Sequence, residues 1–454
     1  MAATTALINA NIFDGKGQSL AGRTVVIEDG LICGIGAGDA PSHADIIDLQ
    51  GRTIMPGMTV GHWHGEFVDI GPPLFSSGRG GVFVGTEEPP AILALAAATA
   101  LQTALMSGVT RIVSASCSND LDGQMQSAIQ RGMFDGPHLT ACSRHIVTTG
   151  DYEDRGHWWT THDRAYDGIR RIGGNVFADG PDQIAKAVRQ EILRGAQIIK
   201  IIPTGGHGFE MVPGYRGMSR NEMETVVRTA HERGARVRAH VTSASAILDC
   251  LDVGVDIIDH ADGMDDACIE AMVKKGTTLV PSMLFAKLVS YGGVGEPRPG
   301  RDADVAWDNL KVMLARASAA GLNIVPGDDF GAQGMAHSLG VYARELLVYK
   351  DDIGIAAKDV LRWATFNGAR LTFDDRTNGS IEEGKVADLI VVNGDPVANL
   401  ALLLNPEQNL DAIMLGGRFI KDRLTGKRAS SIETPREGRF APALPKQAAA
   451  IAAE

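Results

Sequence analysis

DQIAKAVRQEILRGAQIIKII, residues 182–202, and RNEMETVVRTAHERGARVRAHV, residues 220–241, carry the same pattern twice. In each, apolar positions first recur every three or four residues, the spacing of one helix face. A glycine, Gly195 or Gly234, then closes the periodic part, and a short apolar string follows that reads as a strand. Helix and strand alternating at this pace predict a parallel α/β fold. Working outward, comparable strings occur at PGMTVGHWH (56–64), GVTRIVSA (108–115), HLTACS (138–143), VDIIDHA (255–261), TTLVPSM (277–283) and GLNIVPG (321–327). With AQIIKII and ARVRAHV they make eight strand candidates. Eight strand and helix units between residues 57 and 373 suit a TIM (β/α)8 barrel better than an open doubly wound sheet.

The flanks have another texture. ALINANIFDG, RTVVIEDGLICGIG and ADIIDLQGRTIMPG, within residues 4–57, read as short antiparallel strands broken by DG and QG turns. GSIEEGKVADLIVVNG (379–394) and LDAIMLGGRFIKD (410–422) repeat it near the other end. Neither flank alone has enough apolar material for a core, so residues 1–56 and 374–430 are expected to combine into one small β-sandwich domain. Residues 431–454 are expected to be a loosely held tail.

Composition narrows the setting. At 454 residues the chain is about three times an ordinary domain, yet no compositional break divides it, which favours one large fold with a satellite. Forty-three basic against 55 acidic residues leave a net charge of -12, which disfavours nucleic acid or anionic membrane as partner. Small molecules and copies of itself are the expected partners, the latter as a homo-oligomer. Cys33, Cys117, Cys142, Cys250 and Cys268 are scattered and form no CxxC pair, so neither a disulfide framework nor a thiolate zinc site is indicated. The opening MAATTALINANIFDG lacks a secretory pattern and no apolar run reaches membrane-spanning length, so a cytoplasmic location is expected.

Polar residues interrupt the strand candidates in a consistent place. His62 and His64 stand two apart at the end of one, and side chains at i and i+2 of a strand share a face. His240 ends RVRAH, His260 ends DIIDH, and Asp329 follows GLNIVPG. In a barrel the C-terminal strand ends surround one mouth, so these distant residues would converge. Lys200, inside IIKII, would be costly there as a solitary ammonium. Taken singly, each has an ordinary alternative: a chance histidine pair, a lysine reaching for solvent, an aspartate capping the next helix.

In order, HxH, Lys, His, His and Asp resemble the amidohydrolase superfamily, specifically its binuclear-metal branch related to imidazolonepropionase, enamidase and the Xaa-Pro or Xaa-Arg/Lys metal-dependent dipeptidases. The family's PGxxDxHxH is similar to PGMTVGHWH, with Val60 in place of the aspartate, and its GTD to Gly327-Asp328-Asp329. The resemblance spans nearly the whole chain, as far as ADLIVVNGDP (387–396). It implies His62, His64 and Asp329 on one divalent metal and His240 and His260 on a second, with an N6-carboxylated Lys200 and a hydroxide bridging them. Zinc suits such ligands best. The implied activity is hydrolysis of an amide-like C–N bond by that metal-bridging hydroxide, with Asp329 moving the proton. An N-acyl amino acid, dipeptide or related small amide is the expected substrate. A cyclic amide or imide, a deaminase and a catalytically inactive scaffold are the alternatives.

Substrate contacts are expected from SRHIVTTGDYEDRGHWW (143–159), through Arg144, His145, Tyr152 and His157, and from His207 in PTGGHGF. Tyr152 stands about where relatives with SxTGGHG have a histidine. Residues 67–90, rich in glycine and proline, are expected to be a lid or an oligomer contact.

Overall fold

The computed structural model describes residues 4–38, 40–65, 90–151, 173–205, 215–290, 302–329, 338–372 and 374–426. Five strands come first: β1 (Thr5–Phe13), β2 (Ser19–Glu28), β3 (Leu31–Gly36), β4 (Asp45–Asp48) and β5 (Thr53–Pro56). The described part of the central region holds ten: β6 (Met58–Trp63), β7 (Val109–Ser114), β8 (His138–Thr140), β9 (Cys142–Val147), β10 (Asn175–Phe177), β11 (Ile198–Ile201), β12 (Arg236–Ser243), β13 (Ile257–Gly263), β14 (Thr278–Val280) and β15 (Asn323–Ile324). Three more, β16 (Leu389–Val392), β17 (Leu410–Leu415) and β18 (Arg418–Asp422), close the described chain.

Both flanks contribute to one eight-stranded sheet, ordered β18-β17-β16-β5-β1-β2-β3 with β4 also on β1. The seam joins β5 to β16 antiparallel, Thr53 opposite Val392 and Pro56 opposite Leu389. The sheet is mixed rather than wholly antiparallel, because β1 pairs in parallel with β4 and β5. Its apolar side buries Leu7, Ile12, Val25, Ile32, Ile54, Leu389, Val391 and Met414 in a core of its own. Arg111 of β7 ties it to the central region through Asp388, at 2.5 Å.

The central strands pair in parallel, as β6-β7-β8 and as β10-β9-β11-β12-β13-β14-β15. All eight strand candidates contain strands, but HLTACS is two of them. Its first half, β8, pairs with β7, and its second half opens β9, which runs on to Val147 beside β11. The break at Ala141 lets one stretch serve both sheets, a switch that an apolar string does not reveal. Past β15, backbone bonds return to β6: Gly61 N donates to Pro326 O at 2.8 Å, and Asp328 and Asp329 N both donate to His62 O at 3.1 Å.

Helices lie between the strands. Arg220–His231 begins with a capping box, the Ser219 side chain accepting from Glu222 N and Glu222 accepting in return from Ser219 N at 2.8 Å. Gly180–Leu193 places Ile184, Ala187 and Val188 on its buried side, as the spacing of DQIAKAVRQEIL predicts. Val113, Cys142, Ile198, Ile257, Val280, Val325 and Leu371 form a separate buried cluster drawn from many strands. Ile198 and Ile257 stand two residues before Lys200 and Asp259, so this cluster is the apolar floor beneath the polar centre. Among the described residues no helix is long and apolar enough to cross a membrane. The expected tail and nearly all of the 67–90 segment lie outside the described residues.

Candidate active site

His62 and His64 project from the end of β6 with their Nε2 atoms 3.1 Å apart. Asp329 Oδ1 lies 3.2 Å from the first Nε2 and 3.3 Å from the second. His64 Nδ1 is 3.0 Å from Ser116 O. A carbonyl oxygen only accepts, so Nδ1 carries the hydrogen and Nε2 faces inward with its lone pair. On His62, Nδ1 lies 3.4 Å from both Asp259 Oδ1 and Arg238 Nη2, and the tautomer with Nδ1–H on the carboxylate gives its Nε2 the same inward role. Two lone pairs and a carboxylate oxygen turned on one another are repulsive unless a cation lies between them. Ligand atoms of His62, His64 and Asp329 all fall within 4.8 Å of one another, and the donor set of two imidazoles and a carboxylate fits a divalent metal.

His240 and His260 adjoin this group. Their ring centres are 4.4 Å apart, and His260 is 5.0 Å from His62 and 3.9 Å, Nδ1 to Oδ2, from Asp329. His260 reaches the centre by breaking strand geometry. In regular β13 it would face away from its neighbour Asp259, but His260 and Ala261 adopt left-handed backbone angles, φ +68° and +58°, so both residues point inward. Asp329 also has positive φ, +46°. Gly327 makes room beside it: a Cβ there would lie 2.7 Å from His62 Cβ and 2.6 Å from Val280 Cγ1.

Lys200 is buried on β11, its Nζ donating to Asp259 Oδ2 at 2.6 Å. Burial lowers its proton affinity, Asp259 opposes this and Arg238 adds to it, and the balance lies below the usual lysine value. Burial likewise holds the His62 pKa down against the pull of Asp329 and Asp259, which favours the neutral, metal-binding imidazole. For Asp329, burial alone would raise the pKa, but His62, His64 and His260 outweigh it and hold the carboxyl well below its ordinary range.

The proposed substrate residues fare differently. His145 pairs with Lys200 across β9 and β11, and its ring centre lies 6.2 Å from that of His64. Its Nδ1 meets Asn175 Oδ1 at 3.2 Å. Burial first, then Lys200 and the nearby histidines, depress its pKa well below the ordinary value. Arg144, one residue earlier on the strand, faces outward instead: its Nη2 meets Glu191 Oε1 of helix Gly180–Leu193 at 2.6 Å, and its Nε lies 3.6 Å from Asp120. A register shift between the Cys142–Ile198 and His145–Lys200 pairs gives His145 the inner face and turns Arg144 to the outer one, away from the side expected of a substrate contact. Tyr152, His157 and His207 lie outside the described residues.

Two central residues escaped the sequence reading. Arg238 and Asp259 are both fully buried, 0% exposed, and pair at the middle of the polar layer. Their signal was present, since each is a charge inside an apolar strand string, at RVRAH and DIIDH.

Residues 53–420 match the amidohydrolase family. The chain belongs to that family. It is a hydrolase acting on carbon–nitrogen bonds. Among its relatives, this amidohydrolase is 25% identical to ochratoxinase of Aspergillus niger over 437 residues, covering 90% of this chain and 85% of the relative. Among solved structures, one amidohydrolase superposes with a TM-score of 0.80 at 26% identity, covering 93% of this chain and all of that one. A Xaa-Pro dipeptidase with methionine in its active site gives 0.77 at 27% identity, covering 92% and 100%.

Proposed function

We propose that this amidohydrolase cleaves an N-acyl amino acid, a dipeptide or a related small amide at a binuclear centre of two divalent metals, zinc by preference. The observation that carries the reading is the inward convergence of His62 Nε2, His64 Nε2 and Asp329, with His240 and His260 alongside. The family match and the likeness to a Xaa-Pro dipeptidase support the substrate class. In the proposed architecture residues 57–373 close as a (β/α)8 barrel and both flanks form its small β domain.

His62, His64 and Asp329 would hold one ion, and His240 and His260 the other. Lys200 would join both after condensing with carbon dioxide, the neutral amine giving R–NH–COO⁻ and releasing one proton. When bound, the ions supply Lewis acidity that polarises the amide carbonyl and brings the pKa of water from 15.7 towards about 7. The protein's own part is positional. Asp329, ionised among histidines, accepts the proton of the attacking water and delivers it to the departing nitrogen. His145, steadied by Asn175, faces the substrate beside His64.

The decisive experiment measures metal content and turnover together. Purified protein loaded with zinc should bind two equivalents and hydrolyse members of a panel of N-acyl amino acids and dipeptides. Full loading with no amide cleaved across the panel would overturn the substrate class.

A further inference from the structure

Asp259 does more than neutralise a buried lysine. Its Oδ2 accepts from Lys200 Nζ at 2.6 Å and from Arg238 Nε at 3.0 Å. Its Oδ1 accepts from Arg238 Nη2 at 2.5 Å and faces His62 Nδ1 at 3.4 Å. One carboxylate therefore touches a residue assigned to the first ion and the residue assigned to bridge both. Arg238 holds that carboxylate in a two-pronged grip, and its other hydrogens anchor the grip to neighbouring strands. Nη1 donates to Ser114 O at 2.7 Å on β7, and Nη2 to Gly61 O at 3.0 Å, one residue before His62. Arg238, on β12, thus ties Asp259 to β7 and to β6, the strand that carries the first histidine pair. Val60, two residues before His62 on that strand, offers no carboxylate of its own.

We infer that Asp259, clamped by Arg238, is the positioning residue that aligns His62 and Lys200 for metal binding. The inference rests on the binuclear reading given above. An imidazole that ligates through Nε2 needs an acceptor for Nδ1–H to fix its ring plane and tautomer, and of the two groups 3.4 Å from Nδ1, Asp259 Oδ1 and Arg238 Nη2, only the carboxylate can accept. Lys200 has a parallel need. Its ammonium has three N–H bonds and its carbamate has one, and Oδ2 accepts a hydrogen from either form, so Nζ keeps its place through the conversion. With one side of Nζ occupied by a carboxylate, the new carboxylate is directed elsewhere by like-charge repulsion. Arg238 matches the Asp259 charge, so the pair as a whole is neutral beside a site that gathers cations.

A buried ion pair that serves only the framework would leave metal chemistry untouched once the chain is folded, which separates the two roles. Asp259→Asn keeps the shape and removes the charge. Because this leaves Arg238 without its counter-ion, a second variant, Arg238→Met with Asp259→Leu, removes both charges together, a replacement that buried pairs often tolerate. Zinc affinity would be read by competition with a chromophoric chelator, the carbamate by carbon-13 NMR in labelled bicarbonate, and folding by circular dichroism. Wild-type protein should bind zinc and show the carbamate resonance. Each folded variant should lose about 10- to 100-fold in zinc affinity together with that resonance. A folded variant that keeps both at wild-type levels overturns the inference, and collapse of both variants assigns the pair to the framework and overturns it equally. Wild-type protein with neither zinc nor carbamate would instead refute the binuclear reading.

Discussion

Asp329 and Asp122 are both buried or nearly so, and their surroundings drive them in opposite directions. Asp329 sits among three histidines that keep it ionised. Replacing it with Asn retains size but removes the charge proposed to bind metal and to carry the proton. Turnover of Asp329→Asn should fall by about 10²- to 10⁴-fold while the melting profile of the metal-free protein stays close to wild type; near-normal turnover would exclude Asp329 from proton transfer. Asp122, at the start of helix Leu121–Gln130, accepts from Cys142 N at 3.3 Å, but burial outweighs its hydrogen bonds and the pull of His64 and moves its pKa up to about 6. The folded chain therefore holds a proton that the unfolded chain releases between about pH 4 and about pH 6. Stability from this group is present below that window and is lost as pH rises through it. Asp122→Asn should abolish the loss and be the more stable form above pH 6, by at most about 3 kcal/mol. Urea unfolding at pH 4.5 and pH 7.5 checks this, and equal differences at the two values would count against it. Histidines, Lys200 and Asp329 were legible from the sequence because each ends or interrupts an apolar strand string. Asp259 was hidden by its neighbour: strand alternation allows only one of Asp259 and His260 to face inward, and the left-handed turn at His260 that admits both leaves no compositional mark.

At the scale of elements, the segment that follows β15 is packed closely against the end of β6. Gly327 is where they meet, and any side chain there would press on His62 Cβ, Val280 Cγ1 and Ser282 Oγ. Gly327→Ala should fold with a lowered melting temperature and bind zinc more weakly than wild type, since the His62 pocket must widen. Isothermal titration with zinc tests it, and unchanged affinity would mean that the loop relaxes away from the histidine. Strand positions were largely legible because apolar strings bounded by glycine identify them well. Partner exchange was not: the split of β8 from β9 at Ala141 is a matter of which neighbour each half meets, and β10, only three half-buried residues, has too little apolar content to announce itself.

For the molecule as a whole, the residues proposed to hold metal run from the end of β6 to the segment after β15, so an ion bound among them would cross-link the central region. Binding that is confined to the folded state stabilises it by mass action, about 2.7 kcal/mol at a hundredfold excess over Kd. Zinc should raise the melting temperature and a chelator should lower it reversibly, as scanning calorimetry would detect. A transition insensitive to both would mean that the ligands do not act together. The merging of the two flanks was legible from their shared texture, since neither could bury a sheet face alone. The parallel pairing of β1 with β4 and β5 was not, because turn residues identify hairpins and say nothing of strands brought together from farther apart.

The seam between β5 and β16 sets a timetable for biosynthesis. Thr53 emerges from the ribosome long before its partner Val392 has been made. At roughly 5–20 residues per second, β5 waits some tens of seconds with one edge open. During that interval the nascent chain presents an unpaired strand beside an incomplete apolar face, the form most exposed to capture by neighbouring chains. The central region, whose strands pair mostly with near neighbours in sequence, can meanwhile fold as it emerges. Heterologous yield of this protein should therefore respond to translation speed and to chaperones that shield the first five strands, more than to the stability of the finished enzyme.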